Sequence, residues 1–182
     1  MARLPYVDPS TAPESVRETM ARLPVHLNVF RMMANAETCF RPLLQLGTAI
    51  LGRLALAPTL RELLILLVGK RSPAPYEWTQ HVPIARAVGV SEAQMAAIER
   101  GDLEADCFDA RERAALRAGA ELLVAPKLFD ATFAELEKHF PPREIVELLV
   151  TVGYYMMVAR LLESTAVDID PPAGTAVVDS IS

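Results

Sequence analysis

The sequence predicts an all-α fold, and three observations carry that reading. Apolar residues recur three and four apart along segment after segment, as at Phe40, Leu43, Leu44 and Ile50, which is the period of a one-sided helix. Helix start and stop signals punctuate those segments: Ser91-Glu-Ala-Gln94 reads as a capping box, and Gly52 and Gly89 stand where helices end. No segment shows the β-branched, period-two alternation of a strand.

The elements follow in order. Residues 1–10 read as an extended N-terminal arm, after which Thr11-Ala-Pro-Glu14 reads as a capping box opening a first helix to about Leu23. His26 to about Ala34 is a short apolar helix, and Asn35 is expected to cap a longer one ending at Gly52. Leu56 to Lys70 starts on Pro58 and holds the run Leu63 to Val68, too continuous for a one-sided helix and therefore buried on most sides. Pro73 and Pro75 break the chain, and Tyr76 to Val88 forms the next helix, closed by Gly89. Ser91 opens a helix to about Glu99, Asp109 caps one to Val124, and Asp130 caps one ending near His139. Pro141-Pro142 starts the longest, Arg143 to about Thr165, and the tail 167–182 is expected to be loose or to drape over a neighbouring subunit.

A chain of 182 residues suffices for one buried core, so a single domain spanning 1–182 is expected. Its 52% hydrophobic content is high for a soluble monomer, which points to a homo-oligomer. The apolar run from Leu148 to Ala159 is interrupted by Thr151 and Gly153 and falls short of the roughly 20 residues of a membrane span. A net charge of −5 without a basic stripe argues against nucleic acid as a partner. The N-terminal residues have no signal-peptide pattern, and a cytoplasmic location is expected. Cys39 and Cys107 lack Cys-x-x-Cys spacing and are expected to be buried, inert thiols.

The chemistry concentrates between Glu62 and His81. Glu77 and His81 lie four apart on one helix, hence on one face, and an antiparallel fold-back at the Pro break would bring Glu62 to the same place. Three proton-transfer groups would then share an apolar setting. The plainer readings are an i,i+4 helix pair for Glu77 and His81, a helix N-terminal contact for Glu62, and core or interface anchors for Tyr76 and Trp78. A metal held by Glu62, Glu77 and His81 is disfavoured, because the paired Glu-x-x-His and His-Glu-x-x-His patterns are absent.

Glu62, the Tyr76-Glu77-Trp78 opening, His81, Ala85, Gly89 and the Ser91 cap resemble the carboxymuconolactone decarboxylase and alkylhydroperoxidase D superfamily, with likeness from Leu27-Asn28-Val29-Phe30 through Gly153-Tyr154-Tyr155. The resemblance implies an all-helical fold, an active site between the two central helices, and trimers or hexamers of trimers. In the peroxidase branch a glutamate, two cysteines and a histidine relay protons. Those cysteine positions fall on Ala74 and Glu77 here, and neither can supply the thiolate that such chemistry needs.

What remains suits acid-base chemistry on a small molecule. The expectation is a lyase that resembles the decarboxylase branch, needs no cofactor, and acts on a small unsaturated lactone or keto acid by decarboxylation, isomerisation, elimination or hydration. His81 is the expected general acid/base, Glu77 a second proton-transfer or orienting group, and Glu62 the relay behind them. Tyr76, Trp78 and Tyr154 are the expected pocket residues. The alternatives are an oxidoreductase of the peroxidase branch and a non-catalytic oligomer that binds a small ligand.

Overall fold

A computed structural model describes residues 1–179, and those residues form an all-helical fold. The helices are α1 (Glu14–Ala21), α2 (Asn28–Met33), α3 (Glu37–Gly52), α4 (Pro58–Arg71), α5 (Pro75–Ala87), α6 (Glu92–Arg100), α7 (Ala110–Leu122), α8 (Asp130–His139), α9 (Pro142–Thr165) and the single turn α10 (Ala176–Asp179). The last three residues of the expected tail lie outside the described residues.

α4 is the axle of the fold. Every residue from Leu60 to Gly69 is buried, and α5, α6, α7 and α9 all pack against it. That explains why its apolar run has no polar side: each Leu or Ile buried in full contributes about 1.5–3 kcal/mol, and neighbours cover all faces. Its two faces feed two clusters. Leu60, Leu64, Ile65 and Val68 join α9 through Leu148 and Val152, and Leu63, Leu66 and Leu67 join α6 through Met95 and Ile98.

Two sequence-read caps form as expected. Gln94 N–H donates to Ser91 Oγ at 3.2 Å while Ser91 N–H donates to the Gln94 side chain at 3.0 Å, and Asp109 and Glu112 repeat the exchange at 2.7 and 3.0 Å. Three others do not. Pro13 is the N-cap of α1, without a side-chain bond, so the box proposed at Thr11 is absent. Ala36 is the N-cap of α3, because the Asn35 amide is drawn to the Pro5 and Met32 carbonyls. Phe129 precedes α8, and its N–H is taken by Glu121, leaving Asp130 inside the helix.

The arm has no helix, and the tail is held against the chain rather than loose. The arm lies against the end of α9 and the start of the tail, with Arg3 N–H on the Thr165 carbonyl (2.7 Å) and the Tyr6 hydroxyl on Asp168 (3.0 Å). Beyond Asp168 the tail turns back over its own chain, where Asp170 and Ala173 are hydrogen-bonded to α2 and α5. α9 also runs further than its most apolar stretch: by length and composition it could cross a membrane, with a mean hydropathy of 1.7 in its most apolar window. In this fold it is a core helix, packed on α3, α4, α7 and α8. The cysteines are not buried as expected: Cys39 is exposed on α3 and Cys107 is half-buried in the loop before α7.

Candidate active site

The break between α4 and α5 brings their chemistry together. Pro75 takes the first position of α5, where its missing N–H costs nothing. The two helices then fold back at very close range: a Cβ on Gly69 would stand 3.2 Å from Glu77 Cβ and from the Trp78 amide nitrogen. Glycine at that position lets α5 lie directly on α4, which sets His81 opposite Glu62.

Glu62 is 0% exposed, and an ionised carboxylate there needs a counter-charge and hydrogen bonds. It receives both. Arg61 Nε donates to its Oε1 at 2.8 Å, and His81 Nδ1 stands 2.8 Å from its Oε2. Arg61 is itself buried and donates from one guanidinium nitrogen to the Leu51 carbonyl at 2.6 Å. With the carboxylate as acceptor Nδ1 carries the hydrogen, and in the neutral ring that leaves the lone pair on Nε2. Tyr155 closes the other side of the ring, edge-on at 5.0 Å between centroids, with its hydroxyl held protonated by burial.

Glu77 is the unusual group. It is 2% exposed, and neither carboxyl oxygen has a hydrogen-bond partner from another of the described residues. Burial pushes its pKa from 4.5 up to about 8, its own backbone amide opposes the shift, and the Glu163 charge adds to it. At neutral pH it is mostly the uncharged acid. His81 is therefore paired with Glu62 and not with Glu77, so the simple i,i+4 pair is not formed, although both side chains face the same space.

That space is a cavity of about 140 Å³ between α2, α3, α5 and α9. On α5 the face made by Glu77, Gln80, His81 and Ile84 looks into it, at the i, i+3, i+4, i+7 spacing of one helix side. Tyr76 and Tyr154 also line it, but their hydroxyls are engaged. Tyr76 donates to Asp170 Oδ2 at 2.6 Å, and Tyr154 donates to the Leu43 carbonyl at 3.1 Å, with burial raising its pKa to about 12. Trp78 does not belong to the pocket. One step round from Glu77 it faces the other way, among the α4–α6 cluster, with Lys70 Nζ 5.8 Å from its ring centre.

The tail closes one wall. Gln80 donates to the Asp170 carbonyl at 3.0 Å and accepts from the Ala173 amide at 3.0 Å, while Asp170 Oδ2 also receives the Asn28 amide at 2.7 Å. Ala173, Gly174 and Val177 consequently line the cavity. Arg61, Gln80, Asp170 and Gly47 were not singled out from sequence. Only Arg61 left a readable sign, as a cation beside Glu62 at the head of an apolar run. Asp170 lies so far along the chain from Tyr76 that no local pattern joins them.

Residues 38–121, from α3 to α7, match the carboxymuconolactone decarboxylase family. No curated protein matches the chain at a significant level. Among solved structures, the fold is shared with a peroxidase-related protein of Ralstonia eutropha JMP134 described as an alkylhydroperoxidase AhpD core, at a TM-score of 0.79 and 19% identity, covering 93% of this chain and 92% of that one. A peroxidase-related protein of Silicibacter sp. TM1040 is similar at a TM-score of 0.77 and 19% identity, over 93% and 92% of the two chains. The debrominase Bmp8 in its apo form is similar at 0.73 and 20%, over 97% and 96%. The central part of the chain, residues 38–121, is thus similar to the carboxymuconolactone decarboxylase family, and the chain as a whole shares the AhpD-like fold.

Proposed function

We propose that the protein is a cofactor-free acid-base enzyme, of lyase or isomerase type, that carries a small unsaturated lactone or keto compound through an enol. One observation supports this above others: an unpartnered, protonated Glu77 shares a cavity with a His81 ring fixed by Glu62. His81 Nε2 removes a proton from the carbon next to the substrate carbonyl, and the imidazolium so formed is held by the Glu62 carboxylate, whose charge Arg61 otherwise balances. The electron pair of the broken C–H bond moves into the carbonyl, and the Glu77 acid hydrogen-bonds the developing oxyanion. Return of the proton to a different carbon gives isomerisation. Loss of a leaving group from the adjacent carbon gives elimination, and departure of carbon dioxide in place of the first proton gives decarboxylation. The substrate carbonyl is the electron sink throughout. The members of this superfamily with a thiol relay are a weaker guide, since Cys39 and Cys107 both lie away from the cavity lining.

The proposal includes a homo-oligomer, trimeric or hexameric, because Leu46, Phe129, Phe133, Val146 and Val150 leave large apolar side chains in solvent.

Conversion of 3-cyclohexen-1-one to its conjugated isomer, followed by ultraviolet absorbance and by deuterium uptake in heavy water, tests the chemistry beside carbon dioxide release from γ-carboxymuconolactone. Turnover in either assay that falls by about 100-fold or more in His81→Ala supports it. Equal rates in wild type, His81→Ala and Glu77→Gln would remove it.

A further inference from the structure

The acid-base reading leaves open what the cavity admits, and its walls speak to that. At about 140 Å³ it is close to the roughly 150 Å³ apolar cavity that holds one benzene ring. Leu27, Val29, Phe30, Met33, Leu44 and Leu51 form much of its surface. No lysine or arginine among the described residues lines it. Arg61 sits behind Glu62, and the two charges cancel. Thr48 adds an uncharged hydroxyl, while Gln80 and the Tyr76 and Tyr154 hydroxyls are already bonded to the tail and to Leu43. Among the described residues of the lining, Glu77 presents two buried oxygens without a partner, and a buried polar group of that kind calls for one.

We infer that the cavity takes an uncharged molecule of about one six-membered ring, seated with a carbonyl-type oxygen on Glu77, and that it rejects carboxylates and ammonium groups. A carboxylate entering here would meet no lysine or arginine among the described residues and would stand near the Glu62 carboxylate, at a desolvation cost of several kcal/mol. An ammonium group would require Glu77 to ionise in an apolar wall. Within the acid-base reading, on which this rests, the consequence is that neutral lactones and ketones are substrates and keto acids are not, so that of the reactions named above isomerisation and elimination remain and decarboxylation does not.

The raised pKa of Glu77 adds a pH signature. The groups around it are His81 on its own helix, Tyr154, Tyr155 and Glu163 from α9, Glu62 and Arg61 from α4, and Tyr76 with Asp170 from the tail. Glu77 donates to a carbonyl while it holds its proton and ceases to do so as pH passes about 8.

The test is ligand-observed NMR titration of the full chain with cyclohexanone, cyclohexanecarboxylate and cyclohexylammonium, at pH values about two units either side of that point. Cyclohexanone is expected to bind at the lower pH at least about tenfold tighter than either ion and to weaken at the higher pH. Glu77→Gln, whose amide also donates, is expected to bind it without that pH dependence. Carboxylate binding as tight as that of the ketone, ammonium binding that strengthens as pH rises, or no binding of any of the three at millimolar concentration overturns the inference. Ketone binding without turnover keeps the inference and ends the acid-base reading. His81-dependent turnover of a carboxylate substrate does the reverse.

Discussion

Glu77 carries a cost that the rest of the fold must offset, and that cost grows with pH. Its pKa rises from 4.5 in the open chain to about 8 in the folded one, so between those values the native state holds a proton that the unfolded state has released. Stability therefore falls with rising pH across that window, is undiminished below about 4.5, and reaches its full loss above about 8. Urea denaturation of wild type and Glu77→Gln should give similar free energies near pH 4.5, with the variant more stable by several kcal/mol above pH 8. A gap that stays constant with pH would mean that Glu77 titrates normally. Arg61 acts in the opposite sense. Arg61→Ala should cost about 3–5 kcal/mol by leaving Glu62 buried without its counter-charge, and adding Glu62→Gln should recover part of that. Equal denaturation midpoints for wild type and Arg61→Ala would contradict the charge pairing. The positions of Glu62, Glu77 and His81 were legible in the sequence because helical spacing and a Pro break are local. Which carboxylate the imidazole chooses was not, because that depends on how closely α4 and α5 approach.

That approach belongs to the helices. Gly69 sets it, and the same logic recurs where α3 meets α9: a Cβ on Gly47 would stand 2.7 Å from the Tyr154 hydroxyl. Gly47→Ala should push Tyr154 off the Leu43 carbonyl, costing about 1 kcal/mol for the hydrogen bond and narrowing the cavity. Calorimetry together with the cyclohexanone titration would show both, and an unchanged affinity would place Tyr154 outside the binding wall. The tail is the other element at issue. Its composition suggested looseness, yet Asp170 gathers the Tyr76 hydroxyl and the Asn28 amide while Gln80 holds the Ala173 amide. Asp170→Ala should speed hydrogen exchange at the Ala173 amide while leaving the α4 amides protected. Exchange at Ala173 as fast in wild type as in the variant would mean that the tail is not held. Sequence reading failed here because a polar, Pro-containing segment looks the same whether it is solvated or pinned by long-range hydrogen bonds.

Across the whole molecule, the all-α class, the order of helices and the buried central run were readable, since each rests on period, caps and prolines that act over a few residues. The 0% exposure of Leu63 to Leu66 on α4 is the outcome of a run with no polar side. The orientation of Trp78 away from the cavity needed the fold, because α5 is covered on both sides and apolar residues mark both. The proposed assembly is checked by light scattering after gel filtration. A mass three or six times that of the 19.9 kDa chain is expected, and a monomer would leave the exposed Val146 and Val150 on α9 without that explanation.

The most direct measurement is a carbon-13 NMR titration of the glutamate side-chain carboxyls in wild type and Glu77→Gln. One carboxyl with a midpoint near 8, missing from the variant, is expected. If every glutamate titrates in the ordinary range near 4.5, Glu77 is no neutral acid at physiological pH, and the acid-base site described for this cavity does not exist.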